Sequence, residues 1–200
     1  MQIISDVRLE TTNSTDFELA FQERLRVRNG IISLEENAVF SIHEATEFLS
    51  RGGKWVREDF IYTPWKKTVI FTKKSPIIKH LDKATQTHKD GKEFYLDEED
   101  IEESLEDAIK ISYSKKLIPS QRFGEDEITV FAFGDEKRAQ EYGEFLRNVG
   151  INEMPLWFLD NRYVNDKNLP FARKLFFGGF VYRSGFIGDC RIGKSSYSES

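Results

Sequence analysis

The stretch Gly188-Asp189-Cys190-Arg191-Ile192-Gly193-Lys194-Ser195 fits the phosphate-loop pattern G-x-x-x-x-G-K-[ST] letter for letter. Such a loop works because backbone N–H groups at the start of a following helix cradle phosphate oxygens. Only Ser196 to Ser200 follow here, which leaves no room for that helix, so a working phosphate loop is not expected.

Carboxylates offer a second chemistry. Gly134-Asp135 and Asp160 each follow an apolar run, Ile128–Phe133 and Leu156–Leu159. If both runs are parallel strands joined by a right-handed crossover, the two acids reach one sheet edge and could hold magnesium for phosphoryl or phosphodiester transfer. Each acid also has a local role open to it, Asp135 as a helix N-cap and Asp160-Asn161 as a turn. No other metal or cofactor is expected. His43, His80 and His88 have no metal-binding partner at helical spacing. Cys190 is the single cysteine, so neither an internal disulfide nor a thiolate-rich zinc cage can form, and a reducing compartment suits the chain.

The charge order is uneven. Lys66–Lys92 holds eight lysines against Asp82 and Asp90, whereas Glu93–Asp107 holds nine acids and no base. Such a reversal makes a dipolar surface. An acidic helix over 97–111 would carry Glu98, Glu99, Glu102 and Glu103 as candidate contacts for a basic protein partner. This is the leading functional reading: a noncatalytic, partner-binding or regulatory protein.

A third reading rests on Phe40–Phe60, FSIHEATEFLSRGGKWVREDF. Ser41-Ile42-His43-Glu44-Ala45 would open a first helix, Gly52-Gly53 a turn and Lys54–Phe60 a second helix. Segment 41–60 resembles a helix-turn-helix of the kind found in excisionase-like DNA binders, which implies DNA contact through the second helix. Glu58 and Asp59 among Lys54 and Arg57 would repel phosphates there. An ordinary amphipathic helix pair fits the same residues.

The balance of 29 Lys and Arg against 34 Asp and Glu gives net −5, which opposes nonspecific attraction to nucleic acid or anionic membranes. Hydrophobic residues at 39% with 17 Phe exclude wholesale disorder. The longest apolar run, Leu175–Tyr182, is far short of the about 20 residues a membrane span needs, and no apolar block of signal-peptide length opens the chain. A soluble, cytoplasmic protein is expected; oligomeric state is not legible.

The positioning elements follow from periodicity. Gln2–Leu9 reads as a strand and Asp16–Arg28 as a helix with Phe17, Phe21 and Leu25 on one stripe. Ser33 with Glu36 and Ser41 with Glu44 offer two capping boxes for a helix within Ser33–Ser50. Lys67–Thr72 reads as a strand, Ser75-Pro76 as the start of a helix reaching His88, and Glu93–Leu96 as a strand. Asp97–Ile111 reads as a helix, Ile128–Phe133 as a strand, Asp135 as the cap of a helix to Asn148, and Leu156–Leu159 as a strand. Leu169–Phe176 suggests a short helix before glycine-punctuated aromatic strands. The expected class is α/β (or α+β): a mixed or parallel sheet of βαβ units over 66–160, a mainly helical portion over 1–64, and one domain over 1–194 with a tail at 195–200.

Overall fold

The computed structural model describes residues 31–43, 54–115, 117–180 and 183–187. The expected strand Gln2–Leu9, the helix Asp16–Arg28, the Gly52-Gly53 turn, Cys190 and the string Gly188–Ser195 lie outside the described residues.

A sheet runs through the middle in the order β4-β2-β1-β7-β8-β6-β5, with β3 also pairing with β7. These strands are β1 (Lys54–Tyr62), β2 (Thr68–Thr72), β3 (Phe94–Tyr95), β4 (Ala108–Ser112), β5 (Leu117–Pro119), β6 (Glu153–Trp157), β7 (Phe171–Phe180) and β8 (Arg183–Ile187). Every pairing is antiparallel except β6 with β8. The class is therefore mixed α+β with a largely antiparallel sheet, and the expected βαβ units are not its building block.

Register fixes which side chains share a face, because successive strand residues alternate. Phe60, Tyr62, Val69, Phe71 and Phe171 join the larger core with Leu34 and Ala38 of α1 (Leu34–His43). The same core takes Ala132 and Phe133 of α5 (Glu127–Phe133) and Tyr142 and Leu146 of α6 (Glu136–Asn148). Ile61, Ile70 and Ala172 face the other way, onto Ile77 of α2 (Pro76–Lys79), Ala84 of α3 (Leu81–Lys89) and Ile101 of α4 (Glu98–Leu105). Helices thus cover both faces, and α7 (Asn161–Asn165) precedes β7.

Four expectations are corrected. Ile128–Phe133 is helical, within α5: the Asp126 carboxylate accepts from the Ile128 N–H at 3.1 Å, and Gly134 ends the helix at φ 98°. Its unbroken apolar run reflects a helix buried on most sides, which periodicity alone does not separate from a buried strand. Lys54–Phe60 is strand β1, so the helix-turn-helix reading loses its second helix. Leu169–Phe176 contributes to strand β7. The helix from Asp97 ends at Leu105, and Ala108–Ser112 leaves to pair with β2 in the register Thr68↔Ser112.

Other expectations hold closely. Of the two capping boxes, Ser33 with Glu36 is formed: Ser33 Oγ accepts from Glu36 N at 3.1 Å and Ser33 N donates to Glu36 Oε2 at 2.8 Å. The strand at Thr68–Thr72, the Asp135 cap and the helix to Asn148 with Gly150 at φ 85° stand as expected. The Ser75-Pro76 start also holds, but the helix breaks at His80 into α2 and α3.

Among the described residues, both end strands of the sheet are blunted. Exposed Lys110 sits mid-way along β4, and β5 is three residues long and ends in Pro119. A central lysine or a proline discourages a further strand from adding there.

Candidate functional site

Helix α4 begins where the Asp97 carboxylate accepts from Asp100 N at 2.9 Å. Glu98, Glu99 and Asp100 occupy its first turn, where the helix dipole favours negative charge. Asp100 and Ser104 are buried and Ile101 is half-buried, so positions 100, 101 and 104 make the sheet-facing stripe.

That stripe is tied down by polar contacts. His80 Nε2 lies 2.8 Å and Lys79 Nζ 3.2 Å from Asp100 Oδ1. Thr72 Oγ1, on β2, donates to the Ser104 carbonyl at 2.7 Å. Burial pushes the Asp100 carboxyl up, but the hydrogen bonds from His80 and Lys79 together overcome this and hold it below the ordinary aspartate range. The flanks are tied as well, Glu103 to Lys79 at 2.6 Å and Glu106 to Lys74.

What remains outward is Glu98, Glu99 and Glu102, all exposed, with Leu105 left 43% exposed beside them. Of the four acids singled out from sequence, three therefore share a free outer surface and Glu103 is engaged within the fold. A histidine oriented by a buried carboxylate can serve as a base. His80, however, contacts Asp100 and, 6.4 Å away, the Phe94 ring, with no hydroxyl or thiol bonded to it among the described residues.

Beneath α2 lies an arrangement that resembles catalytic machinery in composition. Lys174 Nζ donates to Arg57 O at 2.6 Å, Asp59 Oδ1 at 2.9 Å and Ser75 Oγ at 3.1 Å. Ser75 Oγ donates to Asp59 Oδ2 at 2.5 Å and accepts from Ile78 N at 3.0 Å. Asp59 and Lys174 are fully buried and directly opposite one another on β1 and β7. Burial pushes the Asp59 carboxyl up and the Lys174 ammonium down, and each restrains the other's shift. The ammonium's three donors meet three acceptors, and the serine hydroxyl is saturated. The network is closed, so it locks strands β1 and β7 to the α2 start and offers no free group to a substrate.

Sequence reading missed this pair because its members lie far apart along the chain. The available signal was alternation: Asp59 and Ile61 on one face of β1, with Ala172 and Lys174 on the matching face of β7. A second buried pair lies on the opposite face, where Arg173 Nη2 donates to Glu93 Oε1 at 2.6 Å and the Tyr163 hydroxyl bonds the same carboxylate.

Asp135 and Asp160 each take a local role. Asp135 accepts from Arg138 N at 2.8 Å and Asp160 from Arg162 N at 2.8 Å, capping α6 and α7. The crossover that was to bring them together is absent, because α5 replaces the first of its two strands. Among the described residues no group of three or more His, Cys, Asp and Glu is placed to hold a metal ion. His43 is exposed at the end of α1. Among the described residues no helix is long and apolar enough to cross a membrane.

No protein-family model and no curated protein matches the chain. The fold is nonetheless similar to a solved chain from work on how the C-type lectin fold accommodates massive sequence variation in Nanoarchaeota. That chain is 20% identical, with a TM-score of 0.65, over 90% of this chain and 91% of its own length. What the two share is a fold: the α+β arrangement described above resembles the C-type lectin fold.

Proposed function

We propose that this chain is a noncatalytic, cytoplasmic recognition protein that presents the outer face of α4 to a basic protein partner. The observation that carries the reading is the division of α4. Asp100, Ile101 and Ser104 fix its inner side, while Glu98, Glu99 and Glu102 face outward next to exposed Leu105. Fixed carboxylates around an apolar contact steer and hold lysine- or arginine-rich surfaces. The similar solved chain comes from work on how the C-type lectin fold accommodates massive sequence variation, and a fold that tolerates such variation suits recognition. The closed Asp59–Lys174–Ser75 network favours binding over catalysis. The alternative, a magnesium-dependent phosphoryl or phosphodiester enzyme using Asp135 and Asp160, has less support, since both carboxylates are occupied as helix caps.

The test is titration with a fluorescent oligolysine peptide, read by anisotropy at physiological salt. Glu98→Lys, Glu99→Lys and Glu102→Lys together are expected to weaken binding at least about tenfold. A control with the same change in charge, on exposed Glu136, Glu144 and Glu153, is expected to weaken it far less. Equal losses from both variants would reduce the effect to net charge and overturn the reading.

A further inference from the structure

The turn between β1 and β2 breaks a local rule. Thr63-Pro64-Trp65-Lys66 closes with a Lys66 N to Thr63 O hydrogen bond at 3.3 Å, and Trp65 has φ 62°. Proline at the second position and positive φ at the third are the signature of a type II turn, whose third position favours glycine or asparagine. Here it carries a bulky ring left 79% exposed. The Trp65 N–H donates to Asn165 Oδ1 on α7 at 2.8 Å, which holds the strained residue in place. Lys66 and Lys67 follow it, both exposed. Strained backbone that presents an aromatic side chain to solvent gains nothing for the fold and points to contact with something else.

We propose that this turn docks onto the outer face of α4 in a second copy of the chain. The proposal rests on the reading of α4 as a binding surface and names its partner. The two surfaces complement each other in kind: Trp65 with Lys66 and Lys67 on one, Leu105 with Glu98, Glu99 and Glu102 on the other. An exposed aromatic flanked by cations is a natural anchor against an apolar residue ringed by carboxylates. Among the described residues, pairing of copies through the sheet is disfavoured at both end strands, by Lys110 on β4 and by the short, proline-ended β5. Net charge of −5 opposes long-range attraction to a nucleic acid or anionic membrane, so the complementarity that names the partner is the local one between the turn and α4. Because the two patches differ, the contact is head-to-tail, and each copy keeps one patch free for the next.

That geometry gives a decisive experiment. The full chain is examined by sedimentation velocity across a wide concentration range at low and high salt. Wild type is expected to self-associate with rising concentration, and less so at high salt. Trp65→Ala with Lys66→Gln and Lys67→Gln removes one patch, and Glu98→Lys, Glu99→Lys and Glu102→Lys removes the other without making the two altered patches complementary; each variant alone is expected to self-associate at least about tenfold more weakly. Mixed in equal amounts, they retain one intact patch each and are expected to form a one-to-one dimer that grows no further. Trp65→Ala in the second variant, whose turn makes the remaining contact, is expected to abolish that dimer. Cooperative thermal melts show that the variants fold.

Wild type that stays monomeric throughout, or a mixture no more associated than its components, overturns the proposal. If oligolysine still binds α4 in that case, the recognition reading stands and only the second copy is lost. If wild type is monomeric but sediments with phosphatidylserine vesicles in a Trp65-dependent manner, the turn serves a membrane surface instead, and the proposal fails.

Discussion

The layer of α2, α3 and α4 carries charges on its two sides and treats them in opposite ways. Inside, Asp59 and Lys174 are buried, and the ammonium donates to three acceptors within 3.1 Å. Outside, Glu98, Glu99 and Glu102 stand in solvent on a helix whose inner side is already pinned. A buried charge is tolerated when every lone pair and proton is matched, and it then fixes one arrangement of the chain. An exposed charge contributes little to stability and can be given over to recognition. The same residue types therefore do structural work on one side of the layer and are spare on the other.

The sharpest way to break the inner side is Lys174→Met. It leaves Asp59 buried without its cation, and an uncompensated buried charge costs about 3–5 kcal/mol. Urea denaturation is expected to show that loss, and a companion Asp59→Leu change is expected to recover most of it. A loss under about 1 kcal/mol from Lys174→Met would mean that the pair does not lock β1 to β7.

Next in size is a dependence on pH. Glu58 is buried and its carboxylate accepts from Leu34 N at 3.0 and 3.2 Å. Burial lifts its pKa from 4.5 to about 7 against the opposing hydrogen bond from Leu34 and the charges of Lys174 and Arg57. The folded state thus holds this proton more tightly than the unfolded chain. The contribution is fully favourable below 4.5 and is lost as pH rises through about 7. Relative to Glu58→Gln, wild type is expected to lose about 3 kcal/mol of unfolding free energy across that window. Parallel pH profiles for the two proteins would show this burial effect to be absent.

The smallest effect lies outside. Trp65→Gly removes the side chain from a backbone conformation that glycine adopts freely, so stability is expected to hold or to rise by up to about 1 kcal/mol. A clear loss of stability would mean that the tryptophan serves the fold. Together with lost self-association, the expected result would mark the strain at φ 62° as retained for binding.

Features set within a few residues were legible in the sequence. The Ser33–Glu36 box, the strand at Thr68–Thr72 and the Asp135 cap each depend on side chains next to the backbone they satisfy. Features set by distant partners were not. Ile128–Phe133 reads as a strand until its helical neighbours are known, because a run buried on most sides shows no period. Lys54–Phe60 reads as a charged helix until Lys174 is placed opposite Asp59. The acids of α4 were legible as an outer face, but the loss of Glu103 to Lys79 depends on where α2 packs. Trp65 carried no signal of its own in the sequence, and only its positive φ and its exposure distinguish the turn from an ordinary one.

The most direct measurement takes one variant, Glu98→Lys with Glu99→Lys and Glu102→Lys, and records both its urea denaturation and its oligolysine binding. If these carboxylates are used in recognition, stability falls only by the about 1–2 kcal/mol that reversing Glu98 and Glu99 in the first turn of α4 costs against the helix dipole, while binding falls at least about tenfold. A variant that still binds as wild type does would contradict the account.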